Sequence, residues 1–354
     1  MEDQLRWPRG AKGMVAWPLS VAHESNRKIA VLTSGGDAPG MNAAVRAVAR
    51  TAFARRGEVV GIEAGYKGLL DSRFMRLHNR GVGGILQRGG TVLGTARSPQ
   101  FATSEGQELA ASRLQKAGVE GLVVIGGEGS LSGALRLQER GVKVVGIPAT
   151  IDNDVFGTDT AIGVDTALNA ALEAIDRIKD TASSHQRAHV VEVMGHRCGY
   201  LALMSGIAGG AEVVLVPEFE TTPQEIMQAF SRSWEQGKPH FIVVAAEGAA
   251  LSAEDIHKYI NGTEGAFESR LTVLGHVQRG GTPTAFDRIL ASRMGTAAVK
   301  ALYERVSGMM IGLQGRRMKL LPLSEVVGRV RPLDADLYEM AEVLAGFPEE
   351  ISYR

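Results

Sequence analysis

The chain has 354 residues, with 39 Lys and Arg against 39 Asp and Glu, so its formal net charge is zero. That balance argues against a nucleic-acid-binding protein. The single cysteine, Cys198, excludes an internal disulfide framework or a multi-cysteine metal cage, and no apolar run approaches the ~18 residues of a membrane span.

Residues 1–27 differ from the rest. Arg6, Arg9 and Lys12 precede a mildly apolar stretch, but Pro18 interrupts it and Glu2 and Asp3 lead it. The segment reads as a disordered extension, or as a start placed upstream of Met14, ahead of a weak secretory leader. From Lys28 onward, short β-branched runs end in glycine and alternate with Ala-rich stretches. The runs are KIAVLTSGG, EVVGIEAG, GLVVIGGEG, VKVVGIPAT, HVVEVMG, AEVVLVPE, HFIVVAAEG and LTVLGHVQRGG. Continuous apolar runs of this kind predict strands buried on both faces of a parallel sheet. The pattern between them predicts helices over Met41–Arg56, Gly106–Ala117, Asp165–Thr181 and Thr222–Gln236. Eight strands are too many for one compact unit of this length. The expected fold is α/β, with two doubly wound, mainly parallel-sheet domains.

Glycine is enriched, with 44 residues where a chain of this length usually carries about 25. The glycines sit at strand ends and follow no period, which excludes collagen and low complexity. In open α/β sheets ligands bind beyond the carboxyl ends of the strands, so the residues after each run carry the most information. Ser34-Gly35-Gly36-Asp37-Ala38-Pro39-Gly40 feeds a helix expected from Met41, an arrangement that gathers N–H groups for an anion. Gly126-Gly127-Glu128-Gly129-Ser130 repeats it, with a helix expected near Leu131, a carboxylate suited to Mg²⁺ beside phosphate, and Ser130 as a possible structural cap. Neither G-x-G-x-x-G nor G-x-x-x-x-G-K-[ST] occurs, which counts against a dinucleotide site and a P-loop.

Pro148-Ala149-Thr150-Ile151-Asp152-Asn153-Asp154 places two acids two residues apart past a strand end. Holding them together is costly unless a cation or a proton transfer requires it; the plain alternative is an Asx-turn pair. Asp152 is suited to accept a hydroxyl proton and Asp154 to hold Mg²⁺ through water. Arg187, Arg197, Arg270, His276 and Arg279 recur at strand ends, as expected of a site for an anionic small molecule, with Glu247 suited to sugar hydroxyls. These residues imply Mg²⁺-assisted phosphoryl transfer from a polyphosphate to a phosphorylated hydroxyl compound.

GGDAPGMNA, GGEGS, PATIDND, SSHQR, VEVMG, GHVQRGG and DRILASRMG occur together and in order. From about Lys28 to Arg331 the chain closely resembles the 6-phosphofructokinase family in its single-copy bacterial form. The resemblance implies transfer to the 1-hydroxyl of fructose 6-phosphate with Mg²⁺, in the cytoplasm, by a homotetramer whose sites are shared between subunits. It implies a nucleotide and Mg²⁺ domain over 28–163 plus 278–328 and a fructose 6-phosphate domain over 164–277 plus 329–354. By resemblance, Asp152 is the general base, with Thr150 and Asp154 beside it. Gly35, Arg97, Ser98, Gly127, Gly129 and Ser130 take the nucleotide, and Glu128 the metal. Arg187 and Arg270 come from a neighbouring subunit. Met194, Gly195, His196, Glu247, His276 and Arg279 bind the sugar phosphate from the same subunit.

Family members that use pyrophosphate carry Asp where this chain has Gly129 and Lys where it has Ala149, so the two small residues favour ATP. The chain departs from the family at Glu128, where Asp is common, at His196-Arg197, where Arg comes first, and at Ala102 and Gln107, which replace basic residues. Arg46 and Arg50, at i, i+4 spacing, match with Arg73, Lys179, Glu212, Lys238 and His240 an inter-subunit site for ADP or phosphoenolpyruvate; the plain alternative is a solvated helix face. Other readings are a pyrophosphate-dependent kinase, a catalytically weak regulatory subunit that binds sugar phosphate, and an NAD-dependent dehydrogenase, the last opposed by the missing fingerprint.

Overall fold

A computed structural model describes residues 27–263 and 268–346. The expected N-terminal extension, apart from Arg27, lies outside the described residues, as does the end of the 329–354 segment. In chain order the first half forms β1 (Lys28–Thr33), α1 (Met41–Ala54), β2 (Glu58–Ile62), α2 (Gly65–Leu70), β3 (Phe74–Arg76), α3 (Ser104–Lys116), β4 (Gly121–Gly126), α4 (Glu128–Glu139) and β5 (Val144–Pro148). Then come α5 (Val164–His185), β6 (Ala188–Val193), α6 (Tyr200–Gly209), β7 (Val213–Leu215), α7 (Pro223–Glu235), β8 (Phe241–Ala246), α8 (Ala253–Gly262) and β9 (Ser269–Val273). The chain closes with α9 (Ala285–Tyr303), β10 (Met309–Gln314), β11 (Arg317–Pro322), α10 (Leu323–Val326) and α11 (Ala335–Ala345).

The strands build two sheets, ordered β11-β10-β5-β4-β1-β2-β3 and β7-β8-β6-β9. All eight apolar runs are strands, and every pairing among them is parallel. The sequence reading missed β3, β10 and β11. Two of these are antiparallel edges: β3 is a three-residue strand against β2, and β11 folds back on β10 through the two-residue turn Gly315-Arg316. Residues of both sheets contribute to one apolar core, which includes Val31, Val123 and Ile147 from the first and Val191, Ile242 and Val244 from the second. Among the described residues no helix is long and apolar enough to cross a membrane.

Side chains cap five of the helices, whereas α1, α2, α5, α6 and α10 share with α4 a start that no side chain caps. Thr103, Thr222, Ser252, Thr284 and Asp334 cap α3, α7, α8, α9 and α11, and Thr222 with Glu225 forms a full capping box. No side chain caps α4; its N-cap is Gly127. The helix therefore begins at Glu128, three residues earlier than expected, and Ser130 lies inside its first turn instead of serving as the cap. The reason is that Gly127 is extended and its carbonyl already accepts the Ser130 and Leu131 N–H groups.

Candidate active site

In the first sheet β1 pairs with β2 on one side and β4 on the other, so the chain reverses direction across the β1–β4 crevice. A cleft of about 1130 Å³ opens there, where doubly wound sheets place their ligands. Both glycine turns line it. Ser34, Gly35 and Gly36 come from β1, and Gly127, Glu128, Gly129 and Ser130 from the start of α4. The first turn of α1 is buried away from the cleft. Among helix N-termini it is therefore α4, not α1, that offers an anion its dipole and N–H groups. Gly36 lies so close to Arg279 that a Cβ would sit 2.7 Å from Nη1, and Arg279 donates to the Asp37 carbonyl at 3.3 Å. Arg97 and Ser98 enter from the opposite wall, and Thr95 hydrogen-bonds the Gly35 carbonyl. A Cβ at Gly129 would meet nothing within 4 Å, and the fully buried Ala149 also lines the cleft. The space beside Gly129 is open.

Past β5 the chain turns sharply. The Asp152 N–H donates to Thr150 Oγ1 at 3.2 Å. Asn153, fully buried, takes a left-handed φ of 53°, tolerated by Asn because its side chain bonds locally. Its Oδ1 accepts the Ala161 N–H at 3.0 Å and its Nδ2 donates to the Asp159 carbonyl at 3.3 Å. The turn aims Asp152 and Asp154 at the cleft. Asp152 is 9% exposed, and Oδ1 of each acid is buried with no hydrogen-bond partner. Arg279 Nη2 stands 3.9 Å from Asp152 Oδ1. Burial pushes the Asp152 carboxyl above the ordinary range; Arg279 opposes this, while Asp154 and Glu247 add to it. Asp154 is raised for the same reason, partly offset by a backbone hydrogen bond and reinforced by Glu128. Among the described residues no three His, Cys, Asp or Glu form a metal cage. Two acids that each turn a buried Oδ1 without a hydrogen-bond partner toward the cleft, with Glu128 nearby, instead fit a cation that takes one or two carboxylates and completes its shell from phosphate oxygens.

The second sheet supplies the facing wall from the carboxyl ends of β6, β8 and β9. Glu247 Oε1 accepts the Gly195 and His196 N–H groups at 3.2 and 2.7 Å, so at least one of its oxygens holds this turn rather than waiting for a sugar hydroxyl. The Met194 N–H donates to Gln278 Oε1 at 2.8 Å. His196, with a left-handed φ of 54°, lines the cleft, and Arg197 beside it is exposed elsewhere. His276 is exposed on the short helical turn just before Arg279.

Arg187 and Arg270 are not at this end. They precede or begin β6 and β9, where Ala188 pairs with Ser269, and both hold Glu268, at 2.8 and 2.5 Å. Reading them with the carboxyl-end residues was therefore an error of polarity: a six-residue strand, roughly 20 Å long, separates them from the cleft of their own chain. The residues matched to an effector site also divide. Lys238 pairs with Glu212 at 3.2 Å, His240 Nδ1 lies 2.8 Å from Ser183 Oγ, and Lys179 donates to the Gly209 carbonyl. Burial, then Lys179 and Lys238, lower the His240 pKa against the pull of Glu212, so these four form one cluster. Arg46 and Arg50 lie on α1 of the other sheet, and Arg50 donates to the Asn79 carbonyl. Arg73 pairs instead with Glu63, at the other end of β3 from that contact.

Three residues in or behind the cleft have contacts that the sequence did not show. Tyr66 donates to the Ser130 carbonyl at 2.6 Å and stacks on Phe101 at 3.9 Å between centroids. Gln107, seen only as a lost basic residue, ties its amide to the Phe101 and Ala102 carbonyls. Gln278 was visible in GHVQRGG, but its part in fixing Met194 needed the fold.

A carboxylate pair facing two glycine turns at the switch point of a parallel sheet defines a phosphate-handling α/β enzyme. The Phosphofructokinase family model matches residues 28–302, and the chain belongs to that family. It is 51% identical to the ATP-dependent 6-phosphofructokinase of Thermotoga neapolitana over 320 residues, 90% of this chain and 100% of that protein. It is likewise 51% identical to ATP-dependent 6-phosphofructokinase 1 of Thermus thermophilus over 327 residues, 90% and 99% of the two chains. Among solved structures, phosphofructokinase from Saccharomyces cerevisiae superposes with a TM-score of 0.79 at 39% identity over 85% of this chain, which spans 45% of the yeast chain. A pyrophosphate-dependent phosphofructokinase from Marinobacter aquaeolei shares the fold, with a TM-score of 0.77 at 20% identity over 88% and 86% of the two chains.

Proposed function

We propose that the chain transfers the γ-phosphoryl group of ATP to the 1-hydroxyl of D-fructose 6-phosphate, giving fructose 1,6-bisphosphate and ADP, the committed step of glycolysis in the cytoplasm. The observation that carries this reading is the pair Asp152 and Asp154, each with a buried Oδ1 that has no hydrogen-bond partner, facing two glycine turns across one cleft. Asp152 takes the hydroxyl proton as the sugar oxygen bonds to phosphorus and the β,γ-bridging oxygen leaves with ADP. Thr150 fixes the turn, Arg279 and His196 face the charge in transit, and Gly35 lets the chain approach the phosphates. Arg97, Ser98, Gly127, Gly129 and Ser130 hold the nucleotide.

Glu128, with Asp154, would hold Mg²⁺, which when bound neutralises phosphate charge. Residues 28–163 with 278–328 serve nucleotide and metal. Residues 164–277 with 329–354 serve the sugar phosphate through Met194, Gly195, Glu247 and His276, with Arg187 and Arg270 reaching the site of a neighbouring subunit in a homotetramer. The test is fructose 1,6-bisphosphate formation with Mg²⁺ and either ATP or pyrophosphate. Turnover with ATP alone is expected. Turnover with pyrophosphate would overturn the donor reading, and silence with both would favour a regulatory subunit.

The effector reading joins Arg46, Arg50 and Arg73 of one subunit to Lys179, Glu212, Lys238 and His240 of another, around ADP or phosphoenolpyruvate. Arg46→Ala is expected to reduce the response to both effectors in steady-state kinetics and to leave the effector-free rate near normal. An unchanged response would remove the site.

A further inference from the structure

The turn that carries Asp152 and Asp154 is gripped from outside by the segment between α10 and α11. Val330 bridges Val155 in antiparallel register. The Arg329 guanidinium lies 5.2 Å over the Phe156 ring, and the Gly328 N–H donates to Glu128 Oε1 at 3.3 Å. Arg331 Nη1 donates to the Asn153 carbonyl at 3.3 Å, and its guanidinium covers the Tyr200 ring at 5.2 Å. The Tyr200 hydroxyl in turn lies beside the Asn153 side chain. Asn153 is thus clamped by groups from α6, from its own loop and from this crossing strap. Burial of apolar surface does not explain the bridge, because Val330 is 86% exposed. The attachments are instead polar or cation–π contacts, made to the two acidic elements of the cleft.

We infer that Arg331 is a positioning residue for phosphoryl transfer: through the Asn153 carbonyl it fixes the left-handed turn that sets the separation and direction of Asp152 and Asp154. Asn153 sits between the two acids, and a change at its peptide moves both side chains together. Positioning errors of about 1 Å cost up to about 10²-fold in rate while leaving substrate affinity largely intact. The inference rests on the proposed roles of Asp152 and Asp154.

The test compares the wild-type protein with Arg331→Met, Arg331→Lys and Asp152→Asn. Methionine keeps the bulk against Tyr200 and removes the donor; lysine restores a donor and a charge. Arg331→Met is expected to lower kcat about tenfold, with KM for both substrates within about twofold and Tm little changed, and Arg331→Lys to recover most of the loss. An unchanged kcat in Arg331→Met, or a loss that follows Tm and is not rescued by lysine, would overturn the inference. Near-normal turnover of Asp152→Asn would instead overturn the reading of the site itself.

Discussion

Asp152→Asn is expected to bind fructose 6-phosphate with a near-normal KM and to turn it over about 10²–10⁴-fold more slowly, the usual loss when a positioned base is removed. The amide keeps the shape of the carboxyl and its place near Arg279 but cannot accept the hydroxyl proton. The pH profile follows from the same burial. Asp152 must be ionised to act, and burial raises its pKa, so the acid limb of kcat should have its midpoint above the ordinary carboxylate value of ~3.9. Stability responds in the opposite sense. A raised carboxyl binds its proton more tightly folded than unfolded, so its contribution to stability falls as pH rises from the ordinary carboxylate range through the folded pKa. The amide does not titrate. Asp152→Asn should therefore melt higher than the wild type at pH 7, by the roughly 0.5–2 kcal/mol typical of one stabilising change, and the advantage should vanish at pH 3. Steady-state kinetics and melting curves at the two pH values check both. Near-normal turnover would remove Asp152 from the role of base.

The second large effect is expected at Gly129. The space beside it is open, and its backbone does not take a positive φ, so an aspartate fits without strain. A carboxylate in the first turn of α4 should suit the helix dipole, by about 0.3–1 kcal/mol, so the fold should be kept. A polyphosphate in the same corner would meet a like charge. Two unit charges about 4 Å apart near a protein surface interact by about 4 kcal/mol, close to 10³-fold in kcat/KM for ATP. Gly129→Asp should show that loss at an undiminished Tm. Unchanged ATP kinetics would mean that Gly129 does not face the donor.

Six of the eight strands read from the sequence are interior, and burial on both faces gives these an apolar signature that needs no partner to interpret; the other two, β7 and β9, are the edges of the second sheet. The outer strands of the first sheet were less legible. Phe74–Arg76 is too short to show a period, and the β10–β11 turn Gly315-Arg316 was passed over. Chemistry at the carboxyl ends read well, since glycines and acids there have few bland explanations. Polarity did not: Arg187 and Arg270 look like strand-end residues, but an arginine before a strand and one after it differ only by which sheet edge they occupy. The surroundings of Arg73 were hidden for a related reason: its match to an effector site lay in local sequence, while its partner, Glu63, is set by the antiparallel return of β3. The Arg331 clamp was invisible, because it joins positions 178 residues apart.

The uncapped start of α4 bears on the stability of the whole chain. Its packing neighbour α3 is capped by Thr103, whereas α4 has no side-chain cap and opens on the cleft, where an anion can meet its N–H groups. A bound phosphate ester is then part of the architecture as well as a reactant. Ligand present at a hundredfold excess over Kd adds about 2.7 kcal/mol to folding stability by mass action alone. If the cleft takes nucleotide as proposed, removing that nucleotide removes the increment, and the folded fraction of the chain follows the supply of its own substrate.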